Sequence, residues 1–157
     1  MTNRLLDTDH AAAADTCVLL SGDPETSTPL AYHIHLRSKR RDGEFIVLDC
    51  GTSSNVVEAR LNEWFTGEGH SPGDYPVVAG TLLLKDIGRL ELRVQRELAK
   101  ALARRDRRQA DRRPRVIAST AESLMGRVRE GTFDDTLFYR LNVIHVVLPD
   151  RGPSVQQ

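Results

Sequence analysis

Gly80 to Leu92 reads GTLLLKDIGRLEL, and this stretch decides the fold of the chain. Its first part, Thr81–Leu84, is an almost uninterrupted apolar run, which is typical of a strand buried on both faces of a parallel sheet. A charged pair, Lys85–Asp86, follows the strand, and a turn at Gly88 leads into an amphipathic helix. The stretch therefore predicts a strand–turn–helix unit with two opposite charges at the point where the strand ends.

The size and composition indicate one globular domain without a dominant charge. The sequence has 157 residues, of which 22 are Lys or Arg and 22 are Asp or Glu, so its formal net charge is zero. The overall electrostatic field of the protein then does not favour binding to nucleic acid or to a membrane surface. The sequence also has neither the long apolar run of a membrane-spanning helix nor the apolar core of a signal peptide. We therefore expect a cytoplasmic protein in which Cys17 and Cys50 are small buried hydrophobic residues.

Strands and helices alternate five times along the chain. The predicted strands are Thr16–Leu20, Phe45–Asp49, Thr81–Leu84, Val116–Ser119 and Val143–Leu148. The predicted helices are Leu30–Arg37, Val56–Phe65, Leu90–Arg104, Glu122–Arg129 and Phe133–Arg140. This order predicts a three-layer α/β domain with a five-stranded parallel sheet over residues 14–149. Residues 1–13 are expected to be a flexible segment and residues 150–157 a disordered tail.

Five short segments resemble, in order, the central AAA+ domain of bacterial sigma-54-dependent transcriptional activators, the enhancer-binding proteins. Phe138–Val143 with Leu148–Pro149 is similar to the family's YYRLNVF…LP signature, and Gly131–Phe133 to the G-x-F that precedes it. The other similar segments are Gly80–Leu82 with Ile87–Gly88 (family GGTLFLDEIG), Arg115–Ala118 (RIIAATN), and Asp42–Gly43 with Phe45 and Cys50 (DGPFVAVNC). The resemblance implies a P-loop NTPase-like core. It also implies a truncated chain, because the family's helical lid and DNA-binding helix-turn-helix have no counterpart after Pro149.

The phosphate-binding loop that the resemblance implies is degenerate. Such a loop needs glycines for close backbone approach to phosphates and a lysine for the β- and γ-phosphates. Here the corresponding stretch is Ser21–Pro29, SGDPETSTP, in which only Gly22 is kept and Ser27 or Thr28 stands where the lysine belongs. If nucleotide binds at all, Gly22, Ser27 and Thr28 are its expected contacts. A plain strand-to-helix turn is the other interpretation.

The acidic pair of the family is also changed. In the family, two acids after the third strand hold magnesium and polarise water. The same positions here are Lys85 and Asp86, and a lysine repels a cation. Lys85 could instead bind a phosphate, with Asp86 as the catalytic base. A solvent-facing charge pair is the alternative.

The remaining nucleotide-sensing positions also depart from the family pattern. Asp49 corresponds to the switch asparagine, and Ala121 or Thr120 to the sensor asparagine. Of the family's two arginines that reach a neighbouring subunit, the first corresponds to Asp134 and the second is kept as Arg140, for which a structural ion pair is the alternative.

Two further segments are candidates for partner contacts. Phe65-Thr66-Gly67 keeps three residues of the family's GAFTGA loop, which contacts sigma-54, although a chance match is the alternative. Arg104–Arg115 holds seven arginines and two aspartates, so its local charge is about +5, and it could contact nucleic-acid phosphates. A solvated helix end is the alternative, because arginines are favoured there.

Together these changes predict a degenerate AAA+-like protein without cofactor or metal that does not hydrolyse ATP and regulates transcription through protein contacts. The expected partner is a complete AAA+ activator, a sigma factor or a second copy of the chain. One alternative is an ATP-binding protein or weak ATPase that uses Lys85, Asp86 and Arg140. The other is a nucleic-acid binder that uses Arg104–Arg115.

Overall fold

The computed structural model describes residues 4–65, 80–105 and 114–148. The strands are β1 (Val18–Ser21), β2 (Phe45–Asp49), β3 (Thr81–Lys85), β4 (Arg115–Thr120) and β5 (Ile144–Val147). The helices are α1 (Arg4–Ala13), α2 (Pro24–Leu36), α3 (Ser54–Phe65), α4 (Leu92–Arg105), α5 (Leu124–Glu130) and α6 (Asp135–Leu141), and a 3-10 turn spans Ile87–Arg89.

The strands form one parallel sheet in the order β2-β3-β4-β1-β5. Successive side chains of a strand point to opposite faces of the sheet. Both faces of this sheet carry apolar side chains, and helices cover both. Leu82 and Leu84 pack with α3, α4, α5 and α6, whereas Leu83 packs with α1 and α2. The predicted three-layer α/β fold with a five-stranded parallel sheet is confirmed. Within the described ranges, no helix combines the length and the apolar character needed to cross a membrane.

The amino-terminal segment differs from the prediction. Residues 1–13 were expected to be flexible, but Arg4–Ala13 forms α1, and Ala11 and Ala12 are buried against the sheet. The Ala11 carbonyl accepts a hydrogen bond from the buried guanidinium of Arg115. The packed side chains are small, so they give a weak amphipathic signal in the sequence but let the helix lie close to the sheet. The predicted tail, residues 150–157, lies outside the described residues.

Helix α2 begins earlier than predicted. The sequence placed its start at Leu30 with Pro29 in the first turn, but the helix begins at Pro24 and Pro29 lies inside it. Asp23 caps this start, and proline suits the first helical position because its missing N–H has no helical partner there. This early start leaves only two residues between β1 and α2.

A buried histidine joins α2 to the sheet. His35 Nε2 lies 3.1 Å from the Gly43 carbonyl, and Nδ1 lies 2.7 Å from Thr81 Oγ1. A carbonyl only accepts hydrogen bonds, so Nε2–H donates to Gly43 and Nδ1 accepts from the Thr81 hydroxyl. Burial lowers the pKa of His35 from 6.5, and the nearby Arg115 lowers it further, against the opposite effect of the Gly43 hydrogen bond.

We expect this histidine to make stability depend on pH. The unfolded chain protonates His35 near pH 6.5, whereas the folded chain does so only at lower pH. Below pH 6.5 the unfolded state therefore binds more protons, and the free energy of unfolding decreases as pH falls, by at most about 1.4 kcal/mol per pH unit for one group. His35→Gln should flatten this slope in urea unfolding between pH 7 and 5. The exposed His33→Gln is the control, and an unchanged slope in His35→Gln would contradict the assignment.

Candidate functional site

The site that the sequence indicates lies at the carboxyl end of the sheet, where β1 turns into α2. Only Gly22 and Asp23 connect the two elements. The Gly22 N–H donates to the Thr120 carbonyl at 2.9 Å. Gly22 has φ 141°, and a Cβ there would lie 2.7 Å from Leu148 Cβ. Close packing and backbone conformation therefore account for this glycine.

The amino terminus of α2, where a P-loop protein would hold phosphate, is capped by the chain's own carboxylate. Asp23 Oδ1 accepts the Glu25 N–H at 3.2 Å, and Oδ2 accepts the Thr26 hydroxyl at 3.0 Å. The Asp23 carbonyl accepts the N–H groups of Thr26 and Ser27 at 3.0 and 3.1 Å. Pro24 has no N–H to offer. Every donor of this first turn is thus already used, and the negative charge that suits a helix start is supplied from within.

The two predicted phosphate-contacting hydroxyls face the protein interior. Ser27 is buried, and its hydroxyl donates to the Pro24 carbonyl at 3.1 Å. Thr28 Oγ1 is buried without a hydrogen-bond partner among the described residues. The early start of α2 explains both positions, because it places residues 27 and 28 within the helix instead of in a loop.

Lys85 and Asp86 lie beside Asp49 at the carboxyl end of the neighbouring strand. Lys85 pairs with Asp49 across β2 and β3, and the Lys85 carbonyl accepts the Cys50 N–H at 2.9 Å. Asp86 adopts a left-handed conformation, with φ 58°, and its N–H donates to Ser119 Oγ at 3.3 Å. Lys85 and Asp49 are the last residues of two neighbouring strands, and Asp86 follows Lys85 directly, so three charged residues lie close together in the backbone at this end of the sheet.

Burial and the neighbouring acidic side chains both favour the protonated form of the Cys50 thiol. Burial raises the pKa of Cys50 to about 12, and the charges of Asp49 and Asp86 act in the same direction. Cys50 is therefore a protonated, unreactive core residue, as the sequence predicted for a small buried hydrophobe. Among the described residues, no three His, Cys, Asp or Glu side chains are arranged to hold a metal ion.

The positions of the sensor asparagine and of the first arginine have local structural roles. Thr120 Oγ1 accepts the Glu122 N–H at 3.1 Å and donates to the Glu122 carbonyl at 3.2 Å, so its hydroxyl is held in a turn. Asp134 caps α6 by accepting the Leu137 N–H at 2.9 Å. Neither role was predicted from the family resemblance, although an aspartate three residues before the first buried leucine of a helix is a recognisable cap signal.

Arg140 lies at the other end of the sheet from Lys85 and Asp86. It lines a cleft of about 620 Å³ together with Asp15, Thr16 and Tyr139. Asp15 and Thr16 precede β1, so this cleft lies at the amino end of the strands, whereas Lys85 and Asp86 follow the carboxyl end of β3. The structure thus does not bring Arg140 together with the other predicted catalytic residue.

The two predicted partner segments are only partly described. Helix α3 ends at Phe65, and Thr66 and Gly67 lie outside the described residues, as do residues 106–113 of the basic segment. For Arg115, the last arginine of that segment, the prediction of a contact with nucleic-acid phosphates is wrong. This residue is fully buried, and its Nε donates to the Thr16 carbonyl at 3.0 Å. It joins α1 to the segment before β1, because strand β4 begins at this residue and directs it into the interior.

Comparison with known proteins agrees with this fold and these motifs. The regulatory protein AtoC of Escherichia coli (strain K12) is 34% identical over an aligned length of 163 positions, gaps included. The alignment covers 91% of this chain and 34% of AtoC. The crystal structure of NtrX from Brucella abortus matches with a TM-score of 0.76 at 23% identity, over 92% of this chain and 36% of NtrX. The P-loop NTPase domain of a sigma-54 transport activator from E. coli has a TM-score of 0.63 at 21% identity, over 87% of this chain and 99% of that domain.

The chain thus spans about a third of AtoC and of NtrX. The family model described as Sigma-54 interaction domain matches residues 1–147, nearly the whole sequence. The sheet order, the Lys85–Asp86 strand end and the α6–β5 segment all lie within this match. The chain therefore belongs to the Sigma-54 interaction domain family.

Proposed function

We propose that the chain is a transcription-regulatory protein that does not hydrolyse ATP and acts through contacts with other proteins. The observation that carries this proposal is the capped start of α2, where Asp23 uses the hydrogen-bond donors that a phosphate would need. The two-residue turn before it contains no lysine. The family membership of the chain supports a role in transcription, and the residues at the start of α2 support the loss of ATP hydrolysis.

Electrostatics at the carboxyl end of the sheet disfavour a magnesium–nucleotide complex. Asp23 and Glu25 lie at the start of α2, so a polyphosphate would meet negative charge there. Lys85 would repel the divalent cation that the family places beside it. Two like unit charges about 4 Å apart near a protein surface cost up to about 4 kcal/mol. Loss of a single group that stabilises a transition-state charge typically slows a reaction by about 10²–10³-fold, and here several such groups are changed.

The main competing function is ATP binding through altered contacts. NtrX has been solved in complex with ATP and with ADP, which favours a nucleotide in this family. In this alternative Lys85 contacts a phosphate, Asp86 is the base and Arg140 acts on a neighbouring chain. Lys85→Met would then abolish nucleotide binding measured by calorimetry, whereas our proposal expects no binding in either protein.

The nucleic-acid alternative now depends on fewer residues. Arg115 is buried and already bonded to Thr16, so it is not available to phosphates. The arginines at positions 107, 108, 112 and 113 lie outside the described residues. Binding through them would weaken steeply with salt, and a filter-binding titration at two ionic strengths separates this alternative from the main proposal.

A protein partner is best sought among sigma-54 activators that keep an intact phosphate loop. The exposed apolar residues Tyr139 and Val143 flank Arg140, and together they offer a contact surface at the junction of α6 and β5. We expect the chain to co-purify with such an activator from the same organism and to change its ATPase rate.

The matched variants for this experiment are Tyr139→Asp and Val56→Asp. Both replace an exposed apolar residue, but Val56 lies on α3, away from α6. Loss of co-purification in Tyr139→Asp alone is the expected result. Absence of any activator or polymerase component from the wild-type sample would contradict a role through these contacts.

A further inference from the structure

The cleft lined by Arg140 lies at the opposite end of strand β1 from the turn into α2. Its volume of about 620 Å³ falls in the range of roughly 300–1,000 Å³ that small-molecule sites occupy. Helix α6 supplies one wall, where Tyr139 and Arg140 follow Thr136 by three and four residues and therefore share its face of the helix. The helix is anchored by Leu137 and Leu141, which are fully buried, so this wall is formed before any ligand binds.

The cleft has an apolar floor, formed by Cys17, Leu102 and Val143. Cys17 and Leu102 are buried members of the same core cluster, whereas Val143 is more than half exposed at the rim. The exposed Tyr139 ring packs edge-to-face on Phe138, with ring centroids 5.4 Å apart. This contact supports the ring beside the floor. An apolar body that enters the cleft therefore covers hydrophobic surface that water otherwise contacts, which is favourable.

The polar side of the cleft carries more positive than negative charge. Among the described residues that line it, Asp15 is the one acid. Its carboxylate lies 2.7 Å from Arg40 Nε and 3.7 Å from Lys39 Nζ, so two cations already balance it. The buried Arg115 guanidinium donates to the backbone of the same segment at 3.0 Å. Because Arg140 adds a further cation from α6, the electrostatics of the cleft favour an anion.

We propose that this cleft binds a small organic acid with an apolar body. The body packs on the apolar floor and beside the Tyr139 ring, and Arg140 binds the carboxylate. A guanidinium is a planar fork that binds a carboxylate through two parallel hydrogen bonds. Because the fork has five N–H donors, a contact within the protein leaves Arg140 able to take this role. The Thr136 hydroxyl, one helical turn before Arg140 and also in the lining, is a second donor for the carboxylate.

Both parts of the ligand follow from the lining of the cleft. An inorganic anion would leave the apolar floor in contact with water. A neutral apolar compound would shield the Arg140 guanidinium from water without offering it an acceptor, which is costly. An acidic side chain of a partner protein brings a carboxylate but little apolar surface beside it. Tyr139 and Val143 also belong to the proposed contact surface, so the inference is tested on the chain without an activator, and its outcome does not depend on the proposed function.

The test is a titration of the chain with phenylacetate, followed by heteronuclear NMR of the backbone amides. Phenylacetate combines an apolar ring with one carboxylate. We expect saturable shifts centred on Thr16, Thr136 and Val143, with a Kd of about 1 mM or below. Phenylacetamide has nearly the same shape without the charge, and acetate lacks the ring. Each should bind at least about tenfold more weakly than phenylacetate, and equal binding of phenylacetamide would contradict the role of Arg140.

Two pairs of variants locate the site. Arg140→Gln removes the cation and should weaken phenylacetate binding at least about tenfold, equivalent to about 1.4 kcal/mol. Its control is Arg129→Gln, because Arg129 is exposed on α5 and does not line the cleft. Val143→Glu places a carboxylate at the rim and should have the same effect, whereas Val56→Glu on α3 should not. If Arg140→Gln unfolds by circular dichroism, Val143→Glu decides. The proposal is overturned by a wild type without saturable shifts, by shifts centred elsewhere, or by unchanged affinity in Val143→Glu.

Discussion

Gly80→Ala is expected to lower the free energy of unfolding by at least about 3 kcal/mol, because it forces the backbones of two neighbouring strands apart. A Cβ on Gly80 would lie 1.8 Å from the Glu44 carbonyl oxygen and 2.5 Å from the Glu44 nitrogen. Both are backbone atoms, so no side-chain rotation relieves the clash. The Gly80 carbonyl also accepts the Arg115 N–H at 2.9 Å, and a shift of Gly80 would therefore disturb the start of β4 as well.

Urea unfolding followed by circular dichroism measures this effect, and Gly126→Ala is the matched control. A Cβ on Gly126 would meet Ser123 Oγ at 3.4 Å, an ordinary contact, and the residue lies within α5. Alanine is favoured over glycine in a helix by up to about 1 kcal/mol, so this control should be neutral or stabilising. Equal stability of Gly80→Ala and the wild type would show that the close approach of Gly80 to Glu44 is not present in the protein.

Asp15→Ala is expected to cost about 3 kcal/mol of stability, because it leaves a buried guanidinium without its carboxylate. Arg40 is 3% exposed, and its Nε and Nη2 donate to the two oxygens of Asp15 at 2.7 and 2.9 Å. This bidentate pair fixes the loop before β2 to the segment before β1. Its loss would leave a charge in the interior that water reaches poorly.

The control is Asp9→Ala, which removes a carboxylate from an exposed pair. Asp9 lies 3.3 Å from Arg37, and both side chains are more than half exposed, so the expected cost is below about 1 kcal/mol. The double variant Asp15→Ala/Arg40→Met should recover stability relative to Asp15→Ala, because it removes the unpaired charge. Equal costs for Asp15→Ala and Asp9→Ala would contradict this role of the pair.

The parts of the fold that could be predicted from sequence are those whose patterns are local. Thr81–Leu84 was identified as a strand because an apolar run of that length has to be covered on both faces, and Leu82 and Leu83 are indeed buried on opposite sides. The start of α2 was missed although Asp23 and Pro24 mark it. The match to a phosphate loop assigned these residues to a binding site, and the stronger local signal for a helix cap was overlooked.

The candidate site was predictable in composition but not in arrangement. The placement of Lys85 and Asp86 at a strand end follows from the sequence. The distance of Arg140 from them does not, because it depends on β5 lying beside β1 at the edge of the sheet. The burial of Arg115 was likewise hidden. It ends an arginine-rich segment, and only the packing of α1 on the sheet shows that it bonds to Ala11 and Thr16.

These positions suggest how a family domain could keep its architecture while its chemistry changes. The sheet and its helices depend on apolar residues such as Leu83 and Ile117, which lie away from the carboxyl-end turns. Asp23 and Asp134 are at helix starts and Lys85 is the last residue of β3, where substitution alters charge with little effect on packing. Loss of catalysis and retention of the fold are therefore compatible.

Titration calorimetry with ATP and ADP, with and without magnesium, tests the central claim most directly. Asp23 caps the start of α2, and Lys85 stands where the family has a magnesium-binding acid. We therefore predict no heat of binding at millimolar nucleotide, in the wild type or in Lys85→Met. Binding in the micromolar range that Lys85→Met abolishes would contradict the proposal, and would show that the chain holds nucleotide through contacts its family does not use.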